Sequence, residues 1–127
     1  MYTIIAGVDT DTERARRVAE ELTNLPIDDM RVILTHLFEK NPEGASIDQV
    51  GAARRAKSLL DSHDIDAEFE ERSGDPATGV IAVADDYDAD LICVAGRERS
   101  PAGKAIFGSV TQEIILNTDR PVLVCGN

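Results

Sequence analysis

The chain has 127 residues, enough for one domain with its own core and too few for two, so we expect a single domain over residues 1–127. Hydrophobic residues make up 43% of the chain but aromatic residues only 4%, which indicates a core of aliphatic side chains. The net charge of −11 argues against nucleic acid and anionic membranes as partners. The N-terminus has no basic leader and no apolar stretch approaches the length of a membrane span, so we expect a cytoplasmic protein.

The charged residues have an unusual balance. Only three of the thirteen basic residues are lysines, and fourteen of the 24 acidic residues are aspartates. This balance resembles that of proteins from salt-loving organisms, in which high salt screens the self-repulsion. An acidic surface that serves only solubility is an equal alternative.

Apolar strand-like segments alternate with helical patterns from end to end, in the order βαβαβαβαβ. The predicted strands are 2–8, 31–38, 65–72, 89–95 and 121–125. The predicted helices are 11–24, 46–62, 75–86 and 106–117, with Asp11 or Thr12 as the N-cap of the first and the Asp75 carboxylate as the N-cap of the third. The third strand alternates apolar and acidic residues, which is typical of a sheet edge. Repeats of this kind force parallel pairing, so we predict an α/β fold, a doubly wound three-layer sandwich.

The ligand crevice of such a sheet lies beyond the carboxyl ends of its strands, where the strand order reverses. The loops after the first and fourth strands should meet there, and they begin at Asp9 and Gly96. The segment 96–109, which runs from this second loop (96–105) into the start of the last predicted helix, carries three basic side chains (Arg97, Arg99, Lys104) against one acidic side chain in a strongly acidic chain.

This loop has the features of an anion site. Gly108 and Ser109 open the last predicted helix, where free N–H groups and the positive end of the helix dipole would face a phosphate. The basic side chains would supply the countercharge. A surface loop whose basic residues pair with surrounding acids is the alternative.

Several short segments, in this order and spacing, together resemble the universal stress protein family over essentially the whole chain. They are Val8-Asp9, Thr35-His36, Gly74-Asp75-Pro76, residues 90–96, Phe107-Gly108-Ser109-Val110 and residues 120–124. The resemblance implies a Rossmann-like, adenine nucleotide alpha hydrolase-like fold with a five-stranded parallel sheet in the order 3-2-1-4-5. It also implies dimerisation and, in one branch of the family, ATP binding.

The nucleotide-binding branch is marked by G-x2-G-x9-G-[ST], and this chain matches it incompletely. Gly96 matches the first glycine and Gly108-Ser109 the last pair, but Arg99 stands at the second glycine and only eight residues separate it from Gly108. Gly103 is a partial substitute because it too frees the backbone. The side chain of Arg99 either blocks the phosphate pocket or reaches the phosphate oxygens.

The resemblance implies that Asp9 and Leu37 line an adenine and ribose pocket. The structural alternatives are that Asp9 caps the following helix and that Leu37 packs in the core. The full set of candidate nucleotide-binding residues is Val8, Asp9, Leu37, Gly96, Arg97, Arg99, Gly103, Gly108, Ser109 and Val110. The expected cofactor is ATP with Mg²⁺, and no residue is assigned a catalytic or resident-metal role.

Other features have mainly structural interpretations. His36 is expected to be a buried histidine bonded to the backbone, with a ligand contact as the alternative. The acids at 85, 86, 88 and 90 are expected to form a solvated surface rather than a cation site. Cys93 and Cys125 are expected to be buried structural thiols. The short strand 121–125 is expected to form the edge of the sheet and the interface of a homodimer, with an edge protected by Gly126 and Asn127 as the alternative.

Three functions follow from these features. The first is a dimeric stress-response module that binds an adenine nucleotide and changes its contacts with an unidentified protein partner. The second is a nucleotide-free dimeric interaction protein of the same fold. The third is a weak adenine-nucleotide hydrolase or transferase, which ranks last because no catalytic signature accompanies the loop.

Overall fold

The computed structural model describes residues 1–38, 46–47 and 50–126, and for residues 97–99 it describes the backbone alone. The strands in these ranges are β1 (Tyr2–Gly7), β2 (Met30–Phe38), β3 (Asp66–Ser73), β4 (Leu91–Arg99), β5 (Ala105–Phe107) and β6 (Val122–Gly126). The helices are α1 (Thr12–Thr23), α2 (Gly51–Ser62), α3 (Pro76–Asp86) and α4 (Ser109–Asn117).

Five of the strands form the predicted parallel sheet. Their order is β3-β2-β1-β4-β6, which is the expected 3-2-1-4-5 order counted over the parallel strands. The strand order reverses between β1 and β4, and it places β3 at one edge as its alternating pattern predicted.

Each face of the sheet is covered by two helices. Helices α1 and α2 enclose one apolar cluster, which includes Ile4 and Val32. Helices α3 and α4 enclose the other, which includes Ile5 and Ile33 on the opposite face of the same strands. Adjacent residues of one strand therefore serve both cores, which explains the continuous apolar runs of β1 and β2.

The helix starts follow the predicted chemistry in two cases. Asp11 caps α1 by accepting a hydrogen bond from the Arg14 N–H, and Asp75 caps α3 by accepting one from Thr78. The bond from the Thr78 N–H also lowers the pKa of the Asp75 carboxyl. Helix α2 begins at Gly51 rather than at residue 46. The segment 39–45, in which Asn41-Pro42-Glu43-Gly44 predicts a break in regular structure, lies outside the described residues.

The largest correction concerns the segment after Gly96. The loop predicted over 96–105 and the helix predicted from residue 106 are wrong, because β4 continues to Arg99 and β5 pairs with it antiparallel. The turn between them has bonds from Ser100 N to Lys104 O and from Gly103 N to Ser100 O, each 2.8 Å. Gly103 has a φ of +81°, which glycine adopts without strain. A three-residue apolar run such as 105–107 is too short for its periodicity to separate strand from helix.

The aspartates between α3 and β4 are held by basic side chains or the backbone. Arg120 contacts Asp85 at 2.6 Å and Asp88 at 3.4 Å, and Asp90 accepts from the Thr3 N–H at 2.9 Å. Asp86 accepts from Arg72. This region is therefore an ion-paired surface that anchors the start of β6. Within the described residues, no helix is both long and apolar enough to cross a membrane.

Candidate functional site

A crevice of about 670 Å³ lies at the carboxyl ends of β1, β2 and β4. Its walls are formed by the strand ends, the first turns of α1 and α4, and the start of α3. The lining residues are Gly7–Thr10, Arg14, Ala15, Thr35–Phe38, Pro76, Val80, Val94–Gly96, Gly108–Thr111 and Ile114. The crevice sits where the strand order reverses, the place at which open α/β sheets bind their ligands.

One end of the crevice is formed by the turn from β1 into α1. The Asp9 carboxylate accepts from the Asp11 N–H through Oδ1 and from Arg14 Nη1 through Oδ2, each at 2.8 Å. Asp11 is the N-cap of α1, so the capping role that was the alternative for Asp9 belongs to Asp11. Asp9 keeps a carboxylate with half its surface exposed, which leaves lone pairs open to a ligand.

Leu37 is held in the crevice wall by α3. A Cβ added to Gly79 would lie 2.2 Å from Leu37 Cδ1, so the leucine side chain occupies the space that the missing side chain of Gly79 leaves. The two alternatives for Leu37 are therefore compatible, because this side chain packs against the α3 face and also lines the crevice.

Gly96 lies within β4 and contacts the start of α4. Its φ of +114° suits glycine, and an added Cβ would lie 2.9 Å from Thr111 Oγ1. Gly108 N donates to Gly96 O at 3.1 Å, and Thr111 Oγ1 donates to Ala95 O at 2.9 Å. These bonds bring the first turn of α4 to the crevice that Asp9 also lines.

The first turn of α4 has a glycine N-cap, so no side chain caps it. The first N–H groups of any helix lack partners within the helix, and the positive end of the helix dipole lies beside them. Gly108 has no heavy atom within 4 Å of the position of an added Cβ, so the space beside it is open. Ser109, Val110 and Thr111 line the crevice at this point. The arrangement can hold an anionic group.

The structure brings together seven of the ten candidate residues at the crevice: Val8, Asp9, Leu37, Gly96, Gly108, Ser109 and Val110. Gly103 lies in the exposed turn of the hairpin and does not line the crevice. The side chains of Arg97 and Arg99 lie outside the described residues. Their backbones pair with Phe107 and Ala105 in β5.

Sequence reasoning missed Arg14 and Thr111. Arg14 lies one turn after Asp9, so the rule that places Asp9 at the crevice could also have placed the first turn of α1 there. Thr111 was hidden because helix α4 was predicted to begin three residues too early. Both residues line the crevice through polar side chains.

The sequence matches the family model "Universal stress protein family" over residues 1–126. It is 33% identical over 69 residues to the stress response protein NhaX of Bacillus subtilis, a match that covers 54% of this chain and 42% of that protein. It is 32% identical over 74 residues to a universal stress protein of Mycolicibacterium smegmatis, which covers 58% of this chain and 57% of that protein. The matched segments thus span about half the length of these relatives.

Solved structures show the same fold. A universal stress protein of Archaeoglobus fulgidus has a TM-score of 0.73 and 29% identity, with 98% of each chain covered. A structure of a universal stress protein of A. fulgidus in complex with dAMP has a TM-score of 0.73, 21% identity and 98% coverage of each chain. A family protein of Arabidopsis thaliana with AMP bound has a TM-score of 0.70, 13% identity, and coverage of 100% of this chain and 92% of that one. The family match over nearly the full length, together with this fold, shows that the chain belongs to the universal stress protein family.

Proposed function

We propose that this protein is a stress-response module that binds an adenine nucleotide in the crevice between the β1–α1 turn and the first turn of α4. The observation that carries the proposal is the glycine-capped N-terminus of α4, which lines the same crevice as the Asp9 carboxylate. Phosphate would bind the free N–H groups of α4, and a donor on the nucleoside would bind Asp9. The nucleotides in the dAMP and AMP complexes of related proteins support this ligand class.

The number of phosphates is set by how much backbone is free to hold them. In the G-x2-G-x9-G-[ST] motif, glycines leave the loop backbone open. Here the backbone of 97–99 pairs with β5, so fewer of its N–H groups are available to phosphates. ATP with Mg²⁺ remains the ligand to test first, with AMP beside it. In the described residues no three His, Cys, Asp or Glu side chains cluster to hold a metal, so Mg²⁺ would arrive on the phosphates.

The test is calorimetric titration of ATP with Mg²⁺, and of AMP, into wild-type protein at high salt. Gly108→Val is the diagnostic variant, because a Cβ added at this position has no heavy atom within 4 Å and so enters open space. Ala102→Val, in the exposed hairpin turn, is the matched control. Binding to wild type and the control that is lost in Gly108→Val would support the proposal. Absence of heat and of thermal stabilisation with either nucleotide in wild type would overturn it.

The second candidate function is a nucleotide-free dimer. It is favoured by the closed β4–β5 pairing and by the Arg14 guanidinium, which already occupies the Asp9 carboxylate. Catalysis ranks third, since Asp9 is the one carboxylate among the described lining residues. Turnover that is lost in Asp9→Asn would raise the enzyme above the other two.

A homodimer through β6 is part of either function. This strand pairs with β4 on one side and with no other strand of the described residues. Its residues Val122–Val124 are apolar. An open apolar edge favours pairing with a second chain. Light scattering should give the mass of a dimer, and β6 amides should exchange with deuterium more slowly as protein concentration rises. A monomer at all concentrations would contradict the dimer.

A further inference from the structure

His36 is a titratable side chain in the crevice wall that the proposed function does not use. It lies two residues before the end of β2 and is only 6% exposed. A polar side chain so deeply enclosed is costly unless its polar atoms find partners. The partners of its two ring nitrogens therefore indicate what the residue is for.

The fold holds one nitrogen of this ring. His36 Nδ1 lies 2.9 Å from the carbonyl oxygen of Val8. A carbonyl oxygen can only accept, so Nδ1 carries the hydrogen and donates it. In the neutral ring Nε2 is then a lone-pair acceptor. The Phe38 ring meets the imidazole edge-on, with centroids 4.5 Å apart, and steadies its orientation.

The other nitrogen is left open. Nε2 has no hydrogen-bond partner among the described residues. Within those residues every fully buried polar side-chain atom has a partner, so an unpartnered Nε2 is not fully buried. His36 also lines the crevice, so a ligand in this space is a possible partner for Nε2. The protein thus presents an oriented acceptor to this space.

This acceptor lies near a second one. The carbonyl that holds His36 belongs to Val8, and the next residue, Asp9, lines the same crevice with its carboxylate. The first turn of α4, which lines the crevice from a separate element, offers N–H donors. A ligand with an anion at one end and hydrogen-bond donors at the other matches this polarity.

We infer that His36 Nε2 accepts a hydrogen bond from the nucleoside half of the bound nucleotide, either from the exocyclic amino group of the base or from a ribose hydroxyl. The inference rests on the proposed function and adds to it a specific acceptor for the nucleoside half of the ligand. The phosphate lies at α4, and the donor-bearing half lies at the ends of β1 and β2.

Two variants separate the two ring nitrogens. His36→Asn keeps an amide donor near the position of Nδ1 for the Val8 carbonyl but has no atom at Nε2. His36→Gln reaches the position of Nε2 but loses the bond to Val8. We expect His36→Asn to bind AMP about 3- to 10-fold more weakly than wild type at a similar melting temperature. We expect His36→Gln to have a lower melting temperature than His36→Asn but a higher affinity for AMP. If His36 had only a structural role, the less stable variant would not bind AMP more tightly.

Ligand analogues identify the donor. If it is the base amino group, the affinity gap between wild type and His36→Asn should close for IMP, which has a carbonyl there. If it is the 2′ hydroxyl, the gap should close for dAMP, and if it is the 3′ hydroxyl, for 3′-deoxy-AMP. Equal affinity of wild type and His36→Asn for AMP would overturn the inference while leaving the proposed function intact. A wild type that binds no nucleotide would overturn both.

A measurement on the unaltered protein covers the case in which the variants fail to fold. The chain has only two histidines, and His63 is exposed at the end of α2, so it serves as an internal control. On addition of AMP the ¹⁵N shift of His36 Nε2 should change, while the signals of His63 should not. An unchanged His36 Nε2 signal at saturating AMP would overturn the inference.

Discussion

Arg14 Nη1 lies 2.8 Å from Asp9 Oδ2 at the mouth of the crevice, and 43% of the arginine side chain and 52% of the aspartate side chain are exposed. Exposed pairs of this kind contribute little to stability. The pair instead holds the carboxylate in one orientation, together with the bond from the Asp11 N–H. Its main effect should therefore be on ligand binding.

Replacing Arg14 with Met should weaken AMP binding about 3- to 10-fold, because the Asp9 carboxylate loses its orienting partner. The free energy of unfolding should change by less than about 0.5 kcal/mol. Calorimetry and urea denaturation measure the two effects. Arg17→Met, on the same helix but outside the crevice lining, is the control and should bind normally. Tighter binding by Arg14→Met would show that the arginine competes with the ligand for Asp9.

Replacing Gly96 with Ala should destabilise the fold by about 2 kcal/mol or more, since φ is +114° and the new Cβ would meet Thr111 Oγ1. Gly108→Ala, at a φ of −64° with open space beside it, should lose less than about 1 kcal/mol. Urea denaturation of the two variants gives the comparison. Equal losses of stability would mean that the contact between β4 and α4 does not depend on the left-handed conformation of Gly96.

Gly79 and Leu37 should show coupled stabilities. Alanine in a helix interior is about 1 kcal/mol more favourable than glycine, but here its Cβ would overlap Leu37 Cδ1. We expect Gly79→Ala to destabilise the wild type and to stabilise a Leu37→Ala background. A double-mutant cycle in urea measures the coupling. Stabilisation in both backgrounds would contradict the contact.

Cys93 and Cys125 are both buried, with their sulfur atoms 3.6 Å apart. The neighbouring Cys125 thiol and burial both raise the pKa of the Cys93 thiol. Ellman's reagent should therefore react slowly with the folded protein and promptly with two thiols in urea. Fast reaction of the folded protein at pH 8 would show that this strand pair opens readily.

The same shift predicts a pH dependence. The unfolded thiol ionises above about pH 8.5 while the folded one stays protonated, so the folded state binds the extra proton. This contribution to stability is complete below that pH and is lost as pH rises above it. The free energy of unfolding should fall with pH in the alkaline range, with a shallower slope in Cys93→Ala. Identical slopes would assign the loss to other groups.

The sequence by itself determined the parallel α/β architecture and the helix starts at Asp11 and Asp75. These features depend on hydrophobic periodicity and on cap chemistry, which act over a few residues. Topology then placed Asp9, Gly96 and Gly108 beside the carboxyl ends of the strands, because these ends lie together in a parallel sheet.

Only the tertiary structure decided the pairing of Arg14 with Asp9, the open nitrogen of His36 and the β4–β5 hairpin in place of a loop. Each of these depends on the distance between side chains or strands from separate elements, and that distance is set by strand register and helix packing. The short segment 105–107 has no periodicity of its own to choose between helix and strand. Its pairing with the extended end of β4 made the choice.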